Sequence, residues 1–257
     1  MICTGIIPAR FASTRFPGKV LADIGGIPMI EHVYRHASTV VDNLWVAADD
    51  LRIIRAVEAF GGRAVLTSTE APNGTARCAE ALSLIHDNAD IIVNIQADEP
   101  FLDPADISAV VRCFGDPSVD IATLARRFDP AEGIDVLMSP DNPKVVMDTR
   151  MNALYFSRAV IPFVRGLSAA EWPDNASFHL HVGLYAFRRK QLLEIAGLGP
   201  APLENAERLE QLRWLQNGYR IRIAMTETRS ISVDTPADLL HARRHALTLS
   251  NTRQAHQ

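Results

Sequence analysis

Cysteine is scarce in this sequence: three occur in 257 residues, and Cys3, Cys78 and Cys113 lie too far apart for a metal-binding pair or a disulfide framework. That excludes a disulfide-stapled secreted domain and points to a reducing, cytoplasmic setting. Long apolar runs are missing as well. None approaches the roughly 20 residues of a membrane span, and no basic segment followed by a long apolar stretch opens the chain, so neither a membrane protein nor a secretory leader is expected. Positive charge is not in excess: 26 Lys and Arg face 30 Asp and Glu, for a net charge of -4. A general nucleic-acid binder would be basic overall. Both common phosphate loops are also absent. Lys19 is followed by Val20 rather than Ser or Thr, and no G-x-G-x-x-G follows the first strand-like run.

What is present is an alternation of strand and helix patterns. Hydrophobic residues make up 47% of the chain and charged residues 22%, enough apolar content for a sizeable core. Ile6-Ile7 reads as the end of a first strand. Helical spacing follows over 29–37, 51–60, 75–85 and 104–114, with apolar strands over 44–48, 64–66, 91–95 and 121–125 between them. Apolar strands alternating with helices predict an α/β fold with a mainly parallel sheet flanked by helices. The second half is less regular. Strand-like runs at 144–147, 152–156 and 182–187 predict a smaller β-rich insertion over 135–190, within a single domain spanning 1–257. A helix is expected over 203–215, a half-exposed strand over 221–225, a strand at 230–233 and a closing helix over 236–247.

The chemistry concentrates at strand ends. After Ile7 the chain turns polar, small and basic, and brings Arg10, Arg15 and Lys19 onto one loop among Pro, Gly and Ser. Three cations after the first strand of an α/β sheet suit a polyanion, and a nucleoside triphosphate is the foremost fit. A solvated basic loop is the plain alternative, but no neighbouring acids in sequence would pair these cations. Asn94-Ile-Gln-Ala-Asp-Glu-Pro100 closes an apolar strand, where open α/β sheets place their ligands. Its Asp98 and Glu99 suit a divalent cation bridging phosphate oxygens. Asp234 is a second candidate ligand, with helix capping before Pro236 as the rival role. Between strand and helix, Gly74 and Thr75 could present amides and a hydroxyl to a base or ribose at a helix N-terminus, or form only a capped loop. His179, His181 and Tyr185 share one strand face, and Glu204, Glu207 and Glu210 recur three apart on the helix expected over 203–215.

These motifs together resemble the 3-deoxy-manno-octulosonate (Kdo) cytidylyltransferase family, also called CMP-Kdo synthetases. The likeness rests on Ile7-Pro-Ala-Arg10, Ser13-Thr-Arg15, Pro17-Gly-Lys19, Val93-Asn-Ile-Gln96, Asp98-Glu-Pro-Phe101, Ala153-Leu-Tyr-Phe-Ser-Arg158, His181 with Gly183 and Tyr185, Leu209-Glu-Gln-Leu-Arg213 and Val233-Asp-Thr235, in that order along nearly the whole chain. The resemblance implies a Rossmann-like nucleotidyltransferase fold and a cytoplasmic homodimer that uses Mg²⁺. It implies CMP transfer from CTP to an acidic 3-deoxy sugar for lipopolysaccharide synthesis, with the 135–190 region as a possible dimerisation arm. It assigns Arg10, Arg15 and Lys19 to the triphosphate, Asp98 and Asp234 to the metal, and Asn73, Gly74, Thr75, Arg77 and Gln96 to the nucleotide. Gln96, Arg158, His181, Tyr185, Glu207 and Gln211 fall to the sugar. The chain departs from the family pattern in 71–77, which keeps Gly, Thr and Arg but lacks the usual His, Ser and acid, and at Ala97, where Gly is usual. A cytidylyltransferase for another acid, such as an amino-octulosonate, a nonulosonate or a phosphonate, and a non-catalytic nucleotide-binding paralogue are the competing readings.

Overall fold

The computed structural model describes residues 1–13, 16–229 and 231–254, so Arg15 of the basic loop lies outside the described residues. The chain divides into two compact units, Met1–Ile107 with Arg229–Gln257, and Ser108–Thr228.

The first unit is a parallel sheet with helical connections. Its elements are β1 (Cys3–Ala9), the short hairpin β2 (Asp23–Ile24) and β3 (Ile27–Pro28), α1 (Met29–Ala37), β4 (Asn43–Ala48), α2 (Leu51–Ala59), β5 (Ala64–Leu66), α3 (Gly74–Leu84), β6 (Ile91–Asn94) and the start of α4 (Pro104–Arg112). Strands run in the order β6-β1-β4-β5, all parallel. β1 and β6 are near-continuous apolar runs buried along their length, as strands covered on both faces must be. Gly5 sits where a Cβ would meet Leu44 Cδ1 at 2.7 Å, so only glycine lets the β4 side chain pack over β1 there. The carboxyl ends of β1, β4 and β6 therefore emerge side by side, with Ala9 paired to Ala48. This places the Arg10 loop, Asp49 and the Gln96–Asp98 turn at one sheet edge.

The second unit holds the remainder of α4, then β7 (Ile121–Arg127), α5 (Ile134–Met138), β8 (Lys144–Met147), β9 (Ala153–Ser157), α6 (Trp172–Asn175), β10 (His179–Arg188), α7 (Arg189–Ala196), α8 (Pro202–Glu207), α9 (Gln211–Gln216) and β11 (Ile221–Thr226). β11 lies parallel to β7, and β10 runs antiparallel to it with a bulge between Val182 and Tyr185. β8 pairs antiparallel with β10 and β9. The chain then returns to the first unit as α10 (Pro236–Gln254), tied to the hairpin by Arg243 Nε donating to the Asp23 carbonyl at 2.9 Å.

Most expected elements are present within one or two residues, and four differ. The strand expected over 182–187 begins three residues earlier, as β10. The helix expected over 203–215 is two helices, because Arg208 adopts the left-handed conformation (φ 53°) and ends α8. Side chains and carbonyls around that break are held by Arg158, as described below. Glu207 therefore lies on α8 and Glu210 at the N-cap of α9. Residues 231–233 form no strand; Val233 N–H instead donates to the Asp98 carbonyl at 2.9 Å. The closing helix is longer than expected, reaching Gln254. No described helix is long and apolar enough to cross a membrane.

Candidate active site

A cavity of about 300 Å³ opens at the carboxyl ends of β1 and β6 in the first unit. Six expected nucleotide or metal residues line it: Arg10, Lys19, Gly74, Arg77, Gln96 and Asp98, together with Ser13. Gly74 begins α3 and stands close to Pro8; a Cβ there would sit 3.3 Å from Pro8 Cγ, so glycine keeps the helix N-terminus against the β1 end. Asn73 and Thr75 are not among the lining residues. The Asn73 side chain accepts from Ala76 N–H at 2.8 Å and caps α3, while Thr75 is buried at 2% exposure.

Lys19 organises the acidic side of this site. Its Nζ donates to Asp98 Oδ2 at 2.6 Å and to Asp234 Oδ1 at 2.8 Å. Burial pulls the ammonium toward a lower pKa, but the two carboxylates outweigh it and hold the group above its usual value. Asp234 is not the cap of α10. That role belongs to Thr235 and Asp238: Asp238 Oδ2 accepts from Thr235 N–H at 2.8 Å, and Thr235 Oγ1 accepts from Asp238 N–H at 3.2 Å. The capping role weighed for Asp234 is thus filled by its neighbours, and its carboxylate is left to meet Lys19.

Two carboxylates converging on one cation also suit Mg²⁺. No group of three or more His, Cys, Asp or Glu side chains placed to hold a metal ion occurs among the described residues. Mg²⁺ is commonly held by one or two carboxylates, with substrate phosphates and waters completing its shell. The donor pair therefore fits a metal that arrives with a triphosphate. Glu99 is not among the residues lining the cavity: it is 9% exposed, and burial first, then Asp98 and Asp106, push its carboxyl up to about 7.

Arg77 lies on the cavity floor with no exposed surface. Nη1 donates to Thr67 Oγ1 at 2.6 Å and Nη2 to Asp49 Oδ2 at 3.2 Å, while Nε has no partner among the described residues. Desolvation lowers its pKa, and the nearby Arg10 charge acts in the same direction against Asp49.

The residues expected for the sugar, apart from Gln96, sit in the second unit and are engaged differently. Arg158 donates three bonds to main-chain carbonyls: Nε to Glu207 at 2.7 Å, Nη1 to Pro140 at 2.7 Å and Nη2 to Arg208 at 3.3 Å. Two of its five N–H groups have no partner among the described residues. Glu207 accepts from Ser157 Oγ at 2.7 Å and from Arg158 N–H at 2.9 Å. Together they hold the end of β9 against the α8–α9 break. Buried Lys144 extends the clip, donating to the carbonyls of Ser139 at 2.9 Å and Arg158 at 2.7 Å.

His181 packs edge-on to Phe156 and tilted against Tyr185. Its Nε2 lies 3.0 Å from Thr123 Oγ1, whose own proton goes to the Leu184 carbonyl at 2.8 Å. Nε2 therefore carries the proton and Nδ1 is left as an acceptor. Desolvation drops the imidazole pKa to about 3, so the ring is neutral at working pH. Burial, with Glu210 adding, raises the Tyr185 phenol well above its usual value. Gln211 is 3% exposed, and its Nε2 finds no partner among the described residues. One turn on, Trp214 Nε1 is likewise buried without a partner, beneath the rings of Tyr185 and Phe187.

A cytidylyltransferase family model matches residues 4–223. A 3-deoxy-manno-octulosonate cytidylyltransferase of Parabacteroides distasonis is 50% identical over 236 residues, 91% of this chain and 94% of that protein. The chain belongs to the 3-deoxy-manno-octulosonate cytidylyltransferase family. A family member from Pelobacter propionicus is 47% identical over 255 residues, covering 95% and 96% of the two chains. Among solved structures, a CMP:2-keto-3-deoxy-manno-octonic acid synthetase complexed with CTP matches with a TM-score of 0.88 at 40% identity, covering 96% of this chain and 99% of that one. A Bacillus anthracis thymidylyltransferase structure, at 18% identity and a TM-score of 0.64, shares the fold.

Two residues at these sites were not singled out from the sequence. Asp49 closes β4, and its signal was available: an acid at the carboxyl end of the strand beside β1. Trp214 carried no signal, because an apolar helix position and an unpaired indole N–H look the same in sequence.

Proposed function

We propose that this protein transfers CMP from CTP to 3-deoxy-manno-octulosonate and releases pyrophosphate. Membership of an enzyme family of that activity supports the reading. The observation that carries it is the meeting of Lys19 with Asp98 and Asp234 beside a cavity that Arg10 and Arg77 also line. The acceptor's anomeric hydroxyl oxygen bonds to the α-phosphorus, the bond from α-phosphorus to the bridging oxygen breaks, and the hydroxyl proton passes to solvent. Arg10, Arg15, Lys19 and Arg77 offset the charge on the transferred and leaving oxygens. Mg²⁺, held by Asp98 and Asp234, would add Lewis-acid stabilisation of the triphosphate oxygens. Gln96 and Gly74 contact the nucleotide.

On the acceptor side, His181, Tyr185 and Gln211 meet the sugar. A neutral His181 offers Nδ1 to a sugar hydroxyl rather than a positive charge to the carboxylate. The carboxylate goes instead to the two remaining Arg158 N–H groups and the Gln211 amide. Glu207 acts through Arg158, by holding its backbone. The family likeness spans 91% of the chain and supports reading 1–257 as one nucleotidyltransferase domain. We place it in the cytoplasm as a homodimer, with 135–190 as the contacting arm; Leu154 and Phe163 there are 63% and 70% exposed. The test is pyrophosphate release from each of the four ribonucleoside triphosphates across a panel of acidic sugars. Release with CTP and Kdo above all other pairs supports the proposal. Faster release with a nonulosonate or an amino-octulosonate would overturn the acceptor, and CTP binding without release would make the protein a non-catalytic paralogue.

A further inference from the structure

The residue that joins the cationic loop to the cavity floor is Asp49, for which neither the sequence motifs nor the proposed reaction has a use. Its side chain is 8% exposed and each carboxylate oxygen has its own partner. Oδ1 accepts from Phe11 N–H at 2.9 Å, and Oδ2 accepts from Arg77 Nη2 at 3.2 Å. The first contact holds the peptide that directly follows Arg10, and so fixes where that side chain leaves the sheet. The second holds the guanidinium on the floor.

Phe11 is itself a node. Its carbonyl accepts from Ser13 N–H at 3.0 Å and Gly18 N–H at 2.8 Å, which closes the loop that ends at Lys19. The Arg52 guanidinium stacks 3.4 Å over its ring. Gly18, at φ +71°, faces the same ring so closely that a Cβ would lie 3.1 Å from Phe11 Cζ. One carboxylate therefore anchors both the loop that presents Arg10 and Lys19 and the buried arginine beneath it.

We infer that Asp49 is a positioning residue that sets the spacing of the triphosphate cations through Phe11 and Arg77. This rests on the reading of the cavity as the triphosphate site. Charge alone predicts the opposite outcome. A carboxylate beside bound phosphates repels them, so its removal should strengthen nucleotide binding. Positioning predicts weaker binding, because Arg10 and Arg77 repel each other and lose their shared anchor.

The experiment is calorimetric titration of wild type, Asp49→Ala and Asp49→Asn with CTP and with CMP, in Mg²⁺ buffer. Asp49→Ala loses both bonds, while Asp49→Asn keeps the Oδ1 acceptor for Phe11. Loss of a hydrogen bond to a charged group is worth about tenfold to a hundredfold, so Asp49→Ala is expected to weaken CTP about tenfold or more, and Asp49→Asn less. CMP, which lacks the two outer phosphates, is expected to change by under about threefold in either variant. CTP binding at or above wild-type affinity in both variants would overturn the inference. An equal loss for CTP and CMP would overturn it too, by reducing Asp49 to a general structural role. If Asp49→Ala does not fold, Asp49→Asn decides by the same CTP-to-CMP ratio. Failure of wild type to bind CTP would instead refute the triphosphate site itself, and the inference with it.

Discussion

In the first unit the charged side chains pair with one another beside a cavity: Lys19 with Asp98 and Asp234, Arg77 with Asp49. In the second unit the charged residues of the expected sugar set are engaged mainly with the backbone. Arg158 serves three carbonyls, and Glu207 accepts from Ser157 and from the Arg158 amide. The other three residues of that set in this unit are neutral: the His181 ring, the Tyr185 phenol and the Gln211 amide. A triphosphate carries concentrated charge that rigid cations and a metal can offset. A sugar needs a shaped polar wall, and main-chain clips provide the shape. Substitutions in the first unit should therefore remove chemistry with little loss of fold, and those at the clip should remove both.

The sharpest break is expected at the acids. Asp98→Asn and Asp234→Asn should each lower turnover by at least about a hundredfold, since each takes a charge from a hard-cation site. Because Thr235 and Asp238 cap α10, Asp234→Asn should leave the melting temperature nearly unchanged. Normal turnover with a lowered melting temperature would return Asp234 to a structural role.

Lys19→Ala comes next. Turnover at saturating CTP should fall by roughly ten- to a hundredfold, as for loss of one preorganised transition-state charge. The variant also leaves Asp98 and Asp234 without their shared ammonium. Mg²⁺ alone should then raise its melting temperature more than it raises that of wild type. An equal rise in both proteins would mean that Lys19 and the metal do not share these carboxylates.

At the clip the balance reverses. Arg158→Ala should cost about 2–3 kcal/mol of stability, from lost charge-assisted bonds to three carbonyls. Calorimetry or urea unfolding reads this directly, with Lys19→Ala as the contrasting variant. A change below about 0.5 kcal/mol would remove the clip from the account.

The smallest effect is a pH dependence. Glu99 ionises near 7 in the folded protein against 4.5 as its ordinary value. Between those two values the folded state binds more protons than the unfolded chain, so this group makes stability fall as pH rises from about 4.5 to about 7. Glu99→Gln should raise the melting temperature at pH 8 in metal-free buffer and leave it unchanged at pH 4. An equal shift at both pH values would exclude the ionisation.

The first unit was more legible in the sequence than the second, and for a physical reason. Arg10 and Lys19 sit on one contiguous loop, and Gln96 and Asp98 on one strand-end turn, so adjacency in sequence carries over to the cavity. The pairing of Lys19 with Asp234 crosses 215 positions and has no local signature. The break at Arg208 was illegible because 203–215 has helical apolar spacing. The left-handed residue belongs to contacts that Arg158 makes across 49 or 50 positions. For His181 the strand face was readable, but not the tautomer, which depends on Thr123 and the Leu184 carbonyl.

The division of labour between the two units is tested most directly by one paired measurement on Lys19→Ala and His181→Ala: CTP affinity by calorimetry, and Kdo dependence by pyrophosphate release. Loss of one neutral hydrogen bond is worth about 0.5–1.5 kcal/mol, so His181→Ala should lower kcat/KM for the sugar roughly two- to tenfold with CTP affinity unchanged. Lys19→Ala should lower turnover while the KM for Kdo stays near the wild-type value. A fall in CTP affinity in His181→Ala with unchanged Kdo dependence would contradict the account.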